Sequence, residues 1–201
     1  MPDVKHFDPE AVLDSAEELF WRRGVTSTGV RDIVSATGVN RSSLYATFGG
    51  KRELYVAALR RYADRRSGPV FRRLAEDDRG LPAIADFFRA LIRARCSGEH
   101  ARWGCLVTNA HAGPEQDDPD IRSVLQDHHD RLRAAMCAAL ERARATGGLR
   151  PDIVPATSAD VLALLAYGVN LRSRAGASPE ALDETVTAVL ASLATRPEEI
   201  R

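Results

Sequence analysis

One stretch, residues 30–53, constrains the fold of this chain more than any other, because it joins two short helical patterns through a glycine turn. Apolar residues share one face of the first helix, which ends at Gly38, where a helix terminus commonly requires positive φ. Asn40 is a good N-cap for the second helix. Leu44 and Phe48, four residues apart, lie on one face of that helix and are expected to pack against the first.

The opposite face of the second helix, over residues 41–48, is small and polar, so it is not a core surface. Small polar side chains flanked by Arg and Tyr fit a DNA major groove and reach base edges and phosphates. The pattern predicts a helix-turn-helix in which this helix reads DNA. The residues expected in the groove are Arg41, Ser42, Ser43, Tyr45 and Thr47, and those expected to hold phosphates or neighbouring bases are Thr28, Arg31, Tyr45 and Lys51.

The order of these signals, TSTGVRDIVSATGVNRSSLYATFGGKREL after LFWRRGV, resembles the N-terminal domain of the TetR family of transcriptional repressors. The resemblance implies an all-α protein with a three-helix DNA-binding domain in residues 1–52. It further implies a helical effector-binding and dimerisation domain in residues 53–201, with a linking helix over residues 51–66. The implied partners are double-stranded operator DNA, a second copy of the chain and an unknown small-molecule effector.

Charge distribution supports the same interpretation although the net charge is zero. Residues 1–21 carry one lysine against six carboxylates, a net of −5, whereas residues 22–66 carry ten cations against three carboxylates, a net of +7. A charge run is usually a solvated surface. Because the basic block coincides with the helix-turn-helix, we expect it to face phosphates.

Helix signals continue through the chain with no strand-period segment. Asp8, followed by Pro9, begins the first helix, and Thr28 is expected to cap the second. The glycines and prolines of residues 67–82 are expected to interrupt helix. Further helices are predicted over 83–97, 103–112, a long segment capped by Asp118, 158–174 and a segment capped by Ser178.

The helix over residues 158–174 is apolar on several faces, so it must be covered on more than one side. In a chain this short, the expected cover is a second copy. The predicted seam pairs this helix with the last one, with Leu162, Leu165, Val186 and Leu190 supplying apolar area.

By the same resemblance, the C-terminal domain is expected to enclose a pocket with apolar walls and a few polar groups. The candidate lining residues are Phe88, Leu91, Trp103, Cys105, Leu106, Asn109, Leu125, His128, Tyr167 and Asn170. Cys105 also supports an alternative function, because a thiol in the first turn of a helix favours the reactive thiolate. That alternative is a sensor of electrophiles or oxidants. A buried, inert cysteine is the competing interpretation.

Two other classes remain as alternatives, a helical enzyme and a DNA-binding protein without an effector. The sequence contains no P-loop, no G-x-S-x-G and no H-E-x-x-H, so no catalytic residues and no cofactor are expected. Cys96 and His100 lack a second close pair of ligands, so no metal is expected either. Three cysteines without paired spacing, and the absence of a long apolar run, predict a cytoplasmic protein with no membrane partner.

Overall fold

The computed structural model of the chain describes residues 7–195. Within them the chain forms ten α-helices and no strand longer than a single bridge between Leu149 and Ala194. The N-terminal part, for which the sequence predicts DNA binding, contains α1 (Pro9–Arg23), α2 (Val30–Thr37), α3 (Arg41–Phe48) and α4 (Lys51–Tyr62). The remainder contains α5 (Gly68–Glu76), α6 (Leu81–Cys96), α7 (Leu106–His111), α8 (Pro119–Ala145), α9 (Pro155–Arg174) and α10 (Pro179–Leu193). The predicted all-α fold is confirmed.

Side-chain caps fix several of these helix starts. The carboxylate of Asp8 accepts a hydrogen bond from the amide of Glu10, and that of Asp118 accepts from Asp120. Each cap is followed by a proline at the first helical position, where the missing N–H costs nothing. Ser178 caps α10 in the same way. Local chemistry therefore determines where these helices begin, as the sequence predicted.

The predicted interruption at residues 67–82 is wrong in its first half. A π-helical turn, Ala63–Ser67, follows α4 and leads without a break into α5, which carries Pro69 in its first turn. A π turn inserts an extra residue into the helical ladder. We attribute the continuity to that shift, because proline is tolerated in the first turn of a helix. The chain leaves helix only at Asp77 and re-enters it at Leu81, where α6 begins after its N-cap Gly80.

Two apolar clusters form the interior. One joins α1–α4 to α7 and the first turns of α8, and its largest fully buried side chains include Phe20, Leu54 and Tyr55. The other joins α5, α6, α8, α9 and α10 around Phe88 and Met136. Because α7 and α8 contribute to the first cluster, helices α1–α4 share a core with the helices that follow them. Residues 1–6 and 196–201, which the predicted domain ranges include, lie outside the described residues.

Candidate nucleic-acid interface and internal cavity

The turn between α2 and α3 orients the surface expected to contact DNA. Gly38 ends α2 at φ +69°, a conformation that side chains with a Cβ rarely adopt. Asn40 then caps α3, its side-chain oxygen accepting from the amide of Ser43 at 2.8 Å. Leu44 is fully buried and anchors α3 against the other helices. One face of α3 is therefore left in solvent.

Arg41, Ser42 and Tyr45 are exposed on that face, and Ser43 and Thr47 are half-buried at its edges. The Arg41 guanidinium lies 5.5 Å from the centre of the Tyr45 ring, a cation–π contact that orders both side chains. The Ser42 hydroxyl donates to the capping oxygen of Asn40 at 2.7 Å. The arrangement presents one cation and several hydroxyl groups on a rigid helix.

Thr28 occupies a different position from the predicted one. Gly29, and not Thr28, is the N-cap of α2, and the side chain of Asp32 accepts a hydrogen bond from its amide. The Thr28 hydroxyl is fully buried and donates to the carbonyl of Gly24 at 2.7 Å, so it is turned away from any phosphate. Arg31 is exposed on α2, and Lys51 begins α4.

Intramolecular ion pairs occupy much of the basic block that was expected to face phosphates. Five of its ten cations have carboxylate partners: Arg23 with Asp32, Arg52 with Asp118 and Asp120, Arg61 with Glu10 and Asp14, Arg65 with Glu10, and Arg66 with Glu17. The acidic N-terminal segment thus neutralises the end of α4. The cations of the block without a carboxylate partner among residues 7–195 are Arg22, Arg31, Arg41, Lys51 and Arg60.

An internal cavity of about 480 Å³ lies among α1, the α4–α5 junction, α6, α7, α8 and α9. Aromatic and aliphatic side chains form most of its wall, including Phe71, Phe87 and Leu91. Its polar residues are Tyr62, Arg66, Ser67, Arg95, His100, Cys105, Thr108, His128, Tyr167 and Asn170. This size and this mixture of walls are typical of small-molecule sites.

Arg95 is the central polar group at one side of the cavity. Its Nε donates to the Asn170 side-chain oxygen at 2.6 Å, and its Nη2 donates to the Tyr62 hydroxyl at 3.2 Å. The guanidinium also lies 5.7 Å from the centre of the Trp21 ring. Burial raises the pKa of Tyr62 well above its usual value, so the phenol stays protonated. Neutral partners therefore position the Arg95 charge.

His128 contributes a neutral imidazole to the cavity wall. Its Nε2 lies 3.1 Å from the Ser67 hydroxyl in the π-helical turn, and its ring packs edge-on against Phe71. Burial lowers the pKa of His128 to about 3, so the ring is uncharged at neutral pH. Its Nδ1 and the hydroxyl of Thr108 are buried without a hydrogen-bond partner in the structure. Such orphaned atoms are uncommon in protein interiors.

The sequence predicted Cys105 in the first turn of a helix. In the structure it is the N-cap of α7, one residue before that turn. The thiol is buried at the cavity wall and is 3% exposed. Gly104 precedes it at φ +70°, and its carbonyl accepts from the Trp21 indole at 3.0 Å. A Cβ on Gly104 would lie 2.9 Å from the Asn109 side-chain oxygen, so the residue before Cys105 has no space for a side chain.

The cavity collects five of the ten candidate pocket residues: Leu91, Cys105, His128, Tyr167 and Asn170. Leu106 and Asn109 line a second, smaller cavity of about 290 Å³ beside Phe20 and Tyr55. Phe88 and Leu125 are core side chains, and Trp103 packs edge-on against Trp21 and His100. These five residues do not line the main cavity: Phe88 and Leu125 pack in the core, Leu106 and Asn109 face the smaller cavity, and Trp103 lies behind Trp21 and His100 of the wall.

The sequence did not predict four residues of the cavity wall that carry polar or aromatic groups: Trp21, Tyr62, Arg95 and Thr108. A signal was present for Arg95, since it continues the apolar stripe of α6 four residues after Leu91. A cation at a stripe position indicates a polar site inside the domain. The contributions of α1 and α4 depend on how distant helices pack, which no local pattern encodes.

Ion pairs at the start of α4 connect the DNA-binding helices to α8. The Arg52 guanidinium donates to Asp118 at 2.6 Å and to Asp120 at 2.7 Å. Arg52 also holds the pKa of Asp118 below its usual value. Nearby, the Tyr55 hydroxyl lies 3.3 Å from the Glu115 carboxylate. A movement of α8 relative to α4 would break these contacts.

The predicted seam residues mostly face inward. Leu162, Val186 and Leu190 belong to the core of the protomer, and Leu165 is half-buried against it. The outward face of α9 carries other residues: Val161, Leu164, Gly168 and Leu171, of which Leu164 is 62% exposed. The face of α9 that points outward therefore differs from the predicted one. The sequence does not determine this face, because the helix is apolar on several sides.

Within residues 7–195 no group of three or more metal-ligating side chains is placed to hold an ion. In the same part of the chain, no helix combines the length and hydropathy that crossing a bilayer requires.

Comparison with known proteins identifies the architecture. Residues 12–58 match the family model described as bacterial regulatory proteins, tetR family. Residues 80–189 match the model described as tetracyclin repressor-like, C-terminal domain. The chain is similar to the HTH-type transcriptional repressor ComR of Escherichia coli strain K12, with 32% identity over 89% of this chain and 85% of that protein.

Solved structures agree with this assignment. The TetR family regulator CifR, a cysteine mutant complexed with 26bp double-strand operator DNA, has a TM-score of 0.81 and 24% identity, covering 94% of this chain and 98% of that chain. The reduced form of E. coli NemR has a TM-score of 0.78 and 25% identity with the same coverage. The first of these likenesses concerns the fold alone. The family models and the curated relative together show that this chain belongs to the TetR family of DNA-binding transcriptional regulators.

Proposed function

We propose that the protein is a non-enzymatic repressor that binds a palindromic operator as a homodimer and is released by a small molecule in the internal cavity. The observation that carries the proposal is the exposed polar face of α3 on a helix-turn-helix. Arg41 would contact base edges in the major groove, with Ser43, Tyr45 and Thr47 beside it. Lys51 would hold a phosphate, and Arg31 a phosphate or base.

A homodimer is the assembly that a palindromic operator requires, because two recognition helices must enter successive major grooves. The outward face of α9 supports this assembly. Val161, Leu164 and Leu171 are large apolar side chains left in solvent, and beyond the adjoining backbone of α9 no atom lies within 4 Å of a Cβ built on Gly168. An apolar stripe with a small residue between its members allows close approach of a second copy.

Release by an effector requires that the cavity communicate with the DNA-reading helices. Two contacts support such a path. His128 of the cavity wall is hydrogen-bonded to Ser67 at the end of the α4 continuation, and Arg52 at the start of α4 is paired with Asp118 and Asp120. A ligand that displaces α8 would therefore pull on both ends of α4 and change the position of α3. Differential ligand affinity for two such arrangements is what drives release.

The test begins with selection of duplexes from a random pool by the purified protein, followed by anisotropy titrations on the selected sequence. Lys51→Ala should weaken binding to all sequences alike and reduce the salt slope by about one unit. Arg41→Ala should relax sequence preference, at a cost of about 1–3 kcal/mol for a direct base contact. Arg93→Ala, an exposed cation on α6, is the matched control and should change neither quantity. A protein that selects no sequence would contradict the proposal.

A second candidate function is thiol-based sensing through Cys105 on the same scaffold. The favouring observation is that the thiol forms part of the cavity wall, where an electrophile that enters would meet it. The structure of the similar NemR is described as its reduced form. If this candidate holds, an alkylating agent should modify Cys105 faster than Cys96 and Cys137 and release the operator, and Cys105→Ser should stay bound. If Cys105 is modified no faster than Cys96 and Cys137, thiol sensing is excluded and release by a non-covalent effector remains.

A further inference from the structure

Among the described residues, the side chains that line the cavity include positive charges but no carboxylate. None of the nineteen residues that form its wall in the described part of the chain is an Asp or a Glu, whereas two are arginines. Arg95, the half-buried one of the two, lies among apolar and aromatic side chains, where the dielectric is lower than in water and the field of a cation is stronger. The positive charge would repel a cationic ligand, and a neutral ligand would not compensate it.

The two arginines are not equivalent. Arg66 is exposed and neutralised, since its Nε donates to the buried Glu17 carboxylate at 2.7 Å. Arg95 is half-buried and has no carboxylate partner among residues 7–195; its hydrogen bonds go to Asn170 and Tyr62, which are uncharged. A guanidinium has five N–H donors in a fork that matches a carboxylate. Arg95 therefore retains both charge and donors for a ligand.

A second, independent observation marks the cavity as a polar ligand's site. The Thr108 hydroxyl and the His128 Nδ1 are both unpartnered, and their side chains are 2% and 4% exposed. Buried polar atoms normally have partners. Both residues belong to the cavity wall, so a bound molecule with hydrogen-bonding groups would supply the missing partners.

From these features we propose that the effector is an organic monocarboxylate with an apolar or aromatic body. This inference rests on the proposed function of the cavity as the effector site. The carboxylate pairs with Arg95, and the body packs against Phe71, Phe87 and Leu91. A single unpaired guanidinium selects one carboxylate, because a second negative charge would be buried without a partner.

The experiment uses wild-type protein and matched probes that differ only in the head group. The first set is 4-phenylbutanoate, 4-phenylbutan-1-ol and 4-phenylbutylamine; the second is octanoate, octan-1-ol and octylamine. Calorimetric titration should give the tightest binding for the acid of at least one set, weaker binding for its alcohol and none for its amine. Alcohols that bind as tightly as their acids, or no binding by either acid, would overturn the inference without the need of any variant.

Variants then locate the charge. Arg95→Met keeps much of the side-chain volume and should weaken acid binding roughly tenfold to a hundredfold, the value of a charge-assisted hydrogen bond in affinity terms. It should leave alcohol binding unchanged. Arg93→Met, two residues away on the exposed face of α6, should leave both unchanged. An acid affinity that survives Arg95→Met in a folded protein contradicts the assignment.

Operator release separates this inference from the proposed function. Acids that bind through Arg95 and release the operator support both. Acids that bind through Arg95 and leave the operator complex intact support the ligand class and contradict the effector function. Release of the operator by neutral compounds, with acids inactive, overturns the ligand class and leaves the repressor function standing.

Discussion

The buried imidazole of His128 predicts a loss of stability in mild acid that one substitution removes. The side chain is 4% exposed, and burial lowers its pKa to about 3, whereas the unfolded chain has a histidine pKa of about 6.5. The unfolded state therefore takes up the proton first as the pH falls. The contribution of neutral His128 to stability is complete above about pH 6.5 and is lost progressively between about pH 6.5 and pH 3.

One pH unit below the unfolded pKa, this loss amounts to about 1.4 kcal/mol. The assay is urea unfolding of wild type and His128→Gln at about pH 7.5 and about pH 5.5, at fixed protein concentration because the proposed dimerisation would shift apparent stability. Glutamine keeps a polar group near Ser67 but does not titrate. Between the two pH values, wild type should lose about 1.4 kcal/mol more than the variant.

The comparison is internally controlled. Burial also lowers the pKa of His111, but that residue is present in both proteins and its effect cancels in the difference. The four aspartates with lowered pKa, Asp77, Asp86, Asp118 and Asp152, titrate below this window. If wild type and His128→Gln lose the same stability on acidification, the imidazole is not buried in its neutral form and the description of the cavity wall is wrong.

Three further predictions concern the seam, the connection to α8 and the packing beside Cys105. Leu164→Glu should give monomers in sedimentation velocity, and a dimeric variant would exclude the outward face of α9 as the seam. Arg52→Ala should shift the effector concentration needed for operator release and leave the melting temperature nearly unchanged; an unaltered effector titration would remove its coupling role. Gly104→Ala should lower the free energy of unfolding by more than the control Gly147→Ala, because both glycines have positive φ but only Gly104 lacks space for a Cβ. Equal losses of about 1–2 kcal/mol in the two variants would contradict this packing.

The accuracy of the sequence predictions follows the range of the interactions on which they depend. Asp8, Asn40, Asp118 and Ser178 were predicted as caps and act as caps, because a cap requires only its own helix. Thr28 has the right chemistry for a cap and is not one. Its hydroxyl donates to the carbonyl of Gly24 in the preceding turn, while Asp32 accepts from the amide of Gly29, which is the actual N-cap of α2.

The sequence could not predict which apolar residues lie in the core, which line the cavity and which face outward. Leu162 and Leu164 are chemically identical and two positions apart on α9, yet one is fully buried and the other is mostly exposed. On a helix that is apolar on several faces, only the packing of α6, α8 and α10 decides which face is covered. The cavity illustrates the same point, since Trp21 and Arg95 meet across 74 positions of sequence.

The ion pairs explain how a chain of zero net charge presents a DNA-binding surface. Glu10, Asp14 and Glu17 of α1 neutralise three arginines at the far end of α4 and in the π-helical turn after it: Arg61, Arg65 and Arg66. Exposed Arg31 and Arg41, together with Lys51, remain without carboxylate partners in the described chain. Each intramolecular ion pair removes a cation that could otherwise release a counterion from DNA, so we expect the sequence-independent attraction to DNA to be smaller than the +7 block alone would give. If the proposed homodimer forms, affinity would come mainly from the fit of α3 to particular bases and from the pairing of two protomers, so that small displacements of α4 would weaken the complex.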